Sequence, residues 1–134
     1  MQEDKYTSYI ELYGKKYPLC LTVAAQERAN AEFGGVKQML KDMQGTDDQI
    51  LSSTIKLTHL LMCGGRDRAK ALAWMSGEKS DTPTVPDCEL MRELMTMKDI
   101  ADCQQKVFEA IRASNSRTVE AEPVKEKNVN TTQG

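Results

Sequence analysis

The chain has 134 residues, 40% of them apolar, which is long enough for one ordinary domain with a single hydrophobic core. Its 18 Lys and Arg residues against 20 Asp and Glu give a net charge of −2, without a basic cluster for a run of phosphates, which argues against nucleic-acid binding. No stretch approaches the roughly 20 apolar residues of a membrane span, and residues 1–8 lack the apolar region of a signal peptide, so we expect a cytosolic protein without a membrane partner.

A β-hairpin is predicted between residues 6 and 21, because apolar residues alternate with polar ones on both sides of a glycine. The alternating residues are Ile10 and Leu12 before Gly14, and Tyr17, Leu19 and Leu21 after it. The turn is expected at Gly14-Lys15. Pro18 cannot donate a ladder hydrogen bond, so its strand should lie at an edge or direct the missing donor outward. An isolated hairpin is only marginally stable and must pack on the rest of the domain.

Two helices are predicted next. Thr22 can cap a helix that extends through Phe33 and ends at Gly34-Gly35. Its apolar stripe consists of Leu21, Ala25, Ala29 and Phe33. A second, short amphipathic helix carries Val36, Met39, Leu40 and Met43 at helical spacing, and Gly45 stops it.

The central core helix is predicted to begin at a capping box formed by Thr46 and Gln49 and to continue to Cys63, where Gly64-Gly65 would end it. Its apolar arc comprises Ile50, Thr54, Leu57 and Leu61, widened by Leu51, Ile55 and Met62. A separate helix is expected from Arg66 to Met75, with Ala69, Leu72 and Ala73 on its apolar side and Trp74 pointing elsewhere.

Residues 76–85 are predicted to form a loop, followed by a helix start at which Thr84 is the cap and Pro86 lies in the first turn. The helical spacing of apolar residues resumes at Cys88. Leu90, Met91, Leu94 and Met95 define one apolar face, whereas Ile100, Gln104, Val107, Phe108 and Ile111 define a rotated one. The change of face predicts a break near Lys98-Asp99.

These elements give a mainly α fold of the α+β type, in which an N-terminal β-hairpin packs on a bundle of about five short helices. Residues 1–114 form the single domain. Residues 115–134 contain too few apolar groups to offset the entropy of ordering them, so we expect a flexible, disordered polar tail.

The sequence offers no recognisable catalytic, cofactor or metal site. His59 lies opposite the apolar arc of its helix and is interpreted as a solvated surface residue. The four cysteines are expected to be free thiols, because no two of them form a Cys-x-x-Cys pair and they lack the spacing of zinc ligands. They are Cys20, Cys63, Cys88 and Cys103. Neither Gly-Gly pair belongs to a phosphate-binding motif. We therefore expect no enzyme activity, no cofactor and no metal.

Protein binding is the remaining prediction, and it involves the most adaptable side chains. Met91, Met95 and Met97 gather on one short helical stretch, where methionine can fill a core or accommodate an irregular partner. Trp74, the only tryptophan, lies off its helix's apolar stripe and is either a lid over the core or an exposed anchor. Trp74, Met91 and Met95 are therefore the candidate partner-binding residues.

Three segments resemble the tail assembly chaperones of long-tailed, siphovirus-type bacteriophages. The first is residues 12–22, LYGKKYPLCLT, followed by a helix that ends near Phe33-Gly34-Gly35. The second is the helix-loop-helix from Ile50 to Leu94. The third is the helix from Asp99 to Ile111, followed by a polar tail. Together they cover most of residues 10–127, although none is a sharp catalytic signature.

The resemblance implies a protein of the host cell cytoplasm that binds the tape measure protein, keeps it soluble while the tail tube assembles, and is absent from the mature virion. The resemblance further implies contacts with the tail tube protein and self-association. It also implies a longer product made by ribosomal frameshifting, for which Glu126-Lys127-Asn128 permits the slippery codons GAA AAA AAC. The alternative is a small helical phage regulator or inhibitor that binds a host protein.

Overall fold

A computed structural model describes residues 4–115, and within that range it confirms the predicted fold class. Two antiparallel strands, β1 (Ser8–Leu12) and β2 (Lys15–Leu19), precede five helices. The helices are α1 (Val23–Phe33), α2 (Val36–Asp42), α3 (Asp47–Ser76), α4 (Cys88–Leu94) and α5 (Met97–Ser114). The predicted tail, apart from Asn115, lies outside the described residues.

The hairpin closes through a two-residue turn at Tyr13-Gly14, one position before the predicted turn. Both turn residues have positive φ, 55° and 74°, as the tight turn that matches strand twist requires. Leu12 faces Lys15 across the turn, and the register places Pro18 opposite Tyr9. Because hydrogen-bonded and non-bonded pairs alternate along an antiparallel ladder, the Tyr9–Pro18 pair is a non-bonded one. The missing N–H of Pro18 therefore points outward, as predicted.

The core lies between the inner face of the hairpin, α3 and α5, with α1, α2 and α4 packed around it. The hairpin contributes Ile10, Leu12, Tyr17 and Leu19. Buried residues of α3 include Thr54, Leu57, Leu60, Leu61 and Met62, and those of α5 are Ile100, Cys103, Val107 and Ala110. Helix α3 is thus the central core helix that its apolar arc predicts.

The prediction that Gly64-Gly65 ends this helix is wrong, and so is the prediction of a separate helix from Arg66 to Met75. Helix α3 is continuous over 30 residues and ends at Gly77, which adopts the left-handed conformation with φ 71°. The glycine pair lies where α3 touches the chain around the end of β2. A Cβ atom on Gly65 would overlap the carbonyl oxygen of Pro18, and one on Gly64 would overlap that of Cys20. These glycines therefore permit close approach of two backbones.

Three of the predicted helix-terminal signals are confirmed. Thr22 accepts a hydrogen bond from the backbone N–H of Ala25, and Thr46 and Gln49 form the predicted capping box. Helix α1 ends at Gly34, which is left-handed with φ 78°. Short-range hydrogen-bonding chemistry was sufficient to locate these ends.

Two signals in the second half of the chain are corrected. Helix α4 is capped by Asp87, whose carboxylate accepts from the N–H of Leu90, and not by Thr84. The predicted break near Lys98-Asp99 lies earlier, at Met95-Thr96, because Thr96 forms a capping box with Asp99 and begins α5. Asp99 is therefore part of the start of α5 rather than of an interruption.

Candidate partner-binding surface

Trp74 is exposed at the end of α3 and is not a lid over the core. Its side chain is 81% exposed, and that of the next residue, Met75, is 75% exposed. In the last turns of the helix Ala73 faces inward, and Trp74 follows it by about 100° on the helical wheel. We refer to Trp74 and Met75 as the α3 tip.

The structure separates the methionines of the Met-rich segment. Met91 is fully buried in the core, so its side chain is not available to a partner on the folded surface, and Met95 is half-buried against the same core. The exposed apolar side chains of this region are instead Leu90, Leu94 and Met97, which are between 43% and 68% exposed. We refer to these three residues as the α4–α5 patch.

Sequence periodicity could not distinguish these two stripes, because both are equally apolar. Cys88, Met91 and Met95 follow one line of helical spacing in the sequence, and Leu90 and Leu94 follow a neighbouring line. The first line packs on the core and the second does not. Which line faces inward depends on how α4 packs on α3, and that contact joins residues that are far apart in the sequence.

Two charged pairs lie on the same helices as the α4–α5 patch. Arg92 donates to Glu89 at 2.8 Å, and Lys98 donates to Asp102 at 3.0 Å. Both pairs are exposed, so each contributes little to stability.

His59 is half-buried and not fully solvated, which corrects the sequence interpretation. Its Nε2 atom lies 3.6 Å from the Sγ of Cys63, one helical turn ahead on α3. Burial, reinforced by the positive charges of Arg28 and Arg66, lowers the pKa of His59, and burial raises the pKa of Cys63. Both shifts favour the neutral forms. The pair is thus far from the thiolate and imidazolium state of a cysteine nucleophile.

A cleft of about 800 Å³ opens between the second half of α3, the hairpin and the loop after α3. Its walls include Tyr9, Leu72 and Pro83, with Lys16 and Asp81 among the charged residues. Asp4, also in the wall, accepts hydrogen bonds from Arg68 of α3, and this lowers the pKa of the Asp4 carboxyl. The ion pair thereby connects the segment just before β1 to α3.

Within residues 4–115, no group of three or more His, Cys, Asp or Glu side chains is placed to hold a metal ion. None of the helices in that range is both long enough and apolar enough to cross a membrane. Comparison with protein-family models, with curated proteins and with solved structures found no significant match.

Proposed function

We propose that the protein is a tail assembly chaperone of a long-tailed bacteriophage, which binds the tape measure protein and keeps it soluble during tail tube assembly in the host cytoplasm. It acts by binding alone, without catalysis or a cofactor. The identity of the partner rests on the resemblance of three sequence segments. The α4–α5 patch is the structural observation that best supports binding of this kind.

The chemistry of the α4–α5 patch suits an apolar helical partner. The side chains of Leu90 and Leu94, one turn apart on α4, and of Met97 at the start of α5 can pack against the apolar stripe of a partner helix. Methionine adapts to irregular surfaces, so one patch can accept many similar but unequal sites along a long chain. The exposed apolar side chains of Leu90, Leu94 and Met97, which lie close together in the sequence, are therefore a candidate interaction site.

The proposal is tested by co-expressing the protein with the tape measure protein and measuring the soluble fraction of that partner. The wild-type protein should raise this fraction. A Leu94→Glu, Met97→Glu double variant should lower it towards the level seen without the chaperone, because two charges would be brought into an apolar contact. Both positions are exposed, so circular dichroism should show an unchanged fold. Met91→Glu is unsuitable because it would place a charge in the core.

The matched control is Val23→Glu, which adds one charge at a 74% exposed apolar position on α1, outside the patch. It should keep the partner as soluble as the wild-type protein does. If the wild-type protein leaves partner solubility unchanged, the chaperone proposal is wrong. If the double variant solubilises the partner as well as Val23→Glu does, the patch is not the binding surface.

A further inference from the structure

The cleft beside the second half of α3 has an apolar floor that belongs to the outer face of the hairpin. Tyr9 and Pro18 are paired across the two strands, and their side chains alternate with those that enter the core. Leu72 of α3 and Pro83 of the following loop add apolar wall. At about 800 Å³ the cleft has the size of a pocket that encloses a small ligand or a few residues of an extended chain.

The chain beyond the described residues starts beside this cleft. The hydroxyl of Ser114, at the end of α5, accepts from the N–H of Leu21 at 2.8 Å and lies 3.4 Å from the carbonyl oxygen of Tyr6. Thr7, the next residue, is in the cleft wall. We refer to residues 116–134 as the C-terminal segment. Its first seven residues can span up to roughly 25 Å when extended, so they can reach into the cleft from this point.

The first charges of the C-terminal segment are complementary to the lysines of the cleft. The ammonium group of Lys16 lies over the ring of Tyr9, 4.7 Å from its centre, and Lys79 lines the loop side. The segment contains Val119-Glu120-Ala121-Glu122, in which acidic and small apolar residues alternate, and a proline follows that favours an extended conformation at Glu122. In an extended chain the apolar side chains can contact the floor while the carboxylates reach the lysines.

The next charges of the segment match the rest of the cleft. Lys125 and Lys127 follow in the sequence, and Glu78 and Asp81 are in the cleft wall. We propose that residues 119–127 bind as an extended segment in the cleft of the same chain. A cleft filled in this way is closed to other extended ligands in the free protein. The inference does not depend on the proposed chaperone function.

Attachment to α5 makes a weak contact sufficient for this binding. The segment is too polar to fold by itself, and exposed ion pairs contribute little. Because the segment is tethered next to its site, however, its effective concentration there is on the order of millimolar. A contact with a Kd of about 0.1 mM between separate molecules would then be occupied roughly nine times out of ten within one chain.

Cross-linking of the full-length protein tests where the segment lies. A carbodiimide joins a carboxylate to an amine only where the two are in contact, and mass spectrometry of the digested monomer identifies the pairs. We expect Glu120 and Glu122 to be joined to the cleft lysines. Lys15 is the matched control, because it is also exposed and precedes Lys16 but is not part of the cleft wall. Cross-links to Lys15 as frequent as those to Lys16, or cross-links formed only between two chains, would overturn the inference.

Charge reversal in the cleft tests the same contact by NMR. In the wild-type protein the backbone heteronuclear NOE of residues 119–124 should be clearly higher than that of residues 130–134, which lie beyond the proposed contact. The double variant Lys16→Glu, Lys79→Glu should lose this difference, because the carboxylates would face like charges. Equal values for the two ranges in the wild-type protein, or an undiminished difference in the double variant, would contradict the proposal.

A rescue variant and a control complete the experiment. Adding Glu120→Lys and Glu122→Lys to the double variant restores opposite charges, so the difference in NOE should return. Lys15→Glu changes a neighbouring exposed charge outside the cleft and should keep the wild-type values. Failure of the rescue, or a loss of the difference in Lys15→Glu, would show that pairing with the cleft does not hold the segment.

Discussion

At the scale of single residues, Gly65 is the position where a small change should have the largest effect. A glycine in the middle of a helix ordinarily costs about 1 kcal/mol relative to alanine, so Gly→Ala usually stabilises. At Gly65 the added methyl group would overlap the backbone carbonyl of Pro18. Because neither backbone can move without separating α3 from β2, we expect Gly65→Ala to lower the free energy of unfolding by about 2 kcal/mol, as overpacking typically does.

Urea unfolding measures this change. Ala71→Gly, at an exposed position of the same helix, is the control for backbone propensity and should cost about 1 kcal/mol. A Gly65→Ala protein more stable than the wild type would mean that α3 and β2 are not in close contact there.

The buried thiol of Cys103 should make the stability of the protein depend on pH. Burial raises the pKa of its thiol from 9.0 to about 11, with the negative charges of Asp99 and Asp102 acting in the same direction. The unfolded chain therefore loses this proton at lower pH than the folded one, and stability falls as pH rises from about 9 to about 11. The difference between 9.0 and about 11 corresponds to roughly 2–3 kcal/mol. Tyr13, whose pKa burial raises to about 12, adds to the loss above pH 10.

The measurement is the free energy of unfolding at pH 8 and at pH 10.5, compared between the wild type and Cys103→Ala. The variant starts from a lower stability because it leaves a small cavity. Its further loss between the two pH values should be clearly smaller than that of the wild type. Equal losses would show that Cys103 does not titrate abnormally.

At the scale of elements, the start of α4 allows two candidate helix caps, Asp87 and Thr84, to be compared by mutation. The carboxylate of Asp87 accepts from the N–H of Leu90, whereas the exposed Thr84 lies three residues earlier. Asp87→Ala should therefore cost about 1 kcal/mol, and Thr84→Ala should change stability by no more than about 0.5 kcal/mol. Thermal unfolding of both variants provides the comparison. A larger loss for Thr84→Ala would indicate that the helix begins earlier than the structure places it.

The element ends that the sequence predicted correctly depend on contacts within a few residues. The caps at Thr22 and Thr46 and the end of α1 at Gly34 are of this kind. The errors at Gly64-Gly65 and at Met91 have another origin. A glycine pair that ends a helix and one that admits a neighbouring strand look the same in sequence. Only the crossing of β2 over α3, about 45 residues apart in sequence, distinguishes them.

At the scale of the whole molecule, composition and periodicity were enough for the fold class. They placed the hairpin first and the most apolar helix at the centre. The candidate surface could be predicted only in part, since Trp74 was assigned correctly as lying off the apolar stripe, while the exposed line of α4 was not identified. Exposure depends on which face of a short helix packs on the core. Because α4 has two adjacent apolar lines, the sequence alone did not show which of them faces the core.

We propose that many copies of this protein bind one tape measure protein, and the number of copies per partner tests this proposal most directly. The complex is purified after co-expression, and its mass is measured by light scattering coupled to size-exclusion chromatography. Because one small domain covers only a short part of a long helical chain, we predict a mass that requires several copies of the 15.0 kDa protein for each tape measure protein. Recovery of the two proteins in separate fractions, or of a complex with a single copy, would contradict the account.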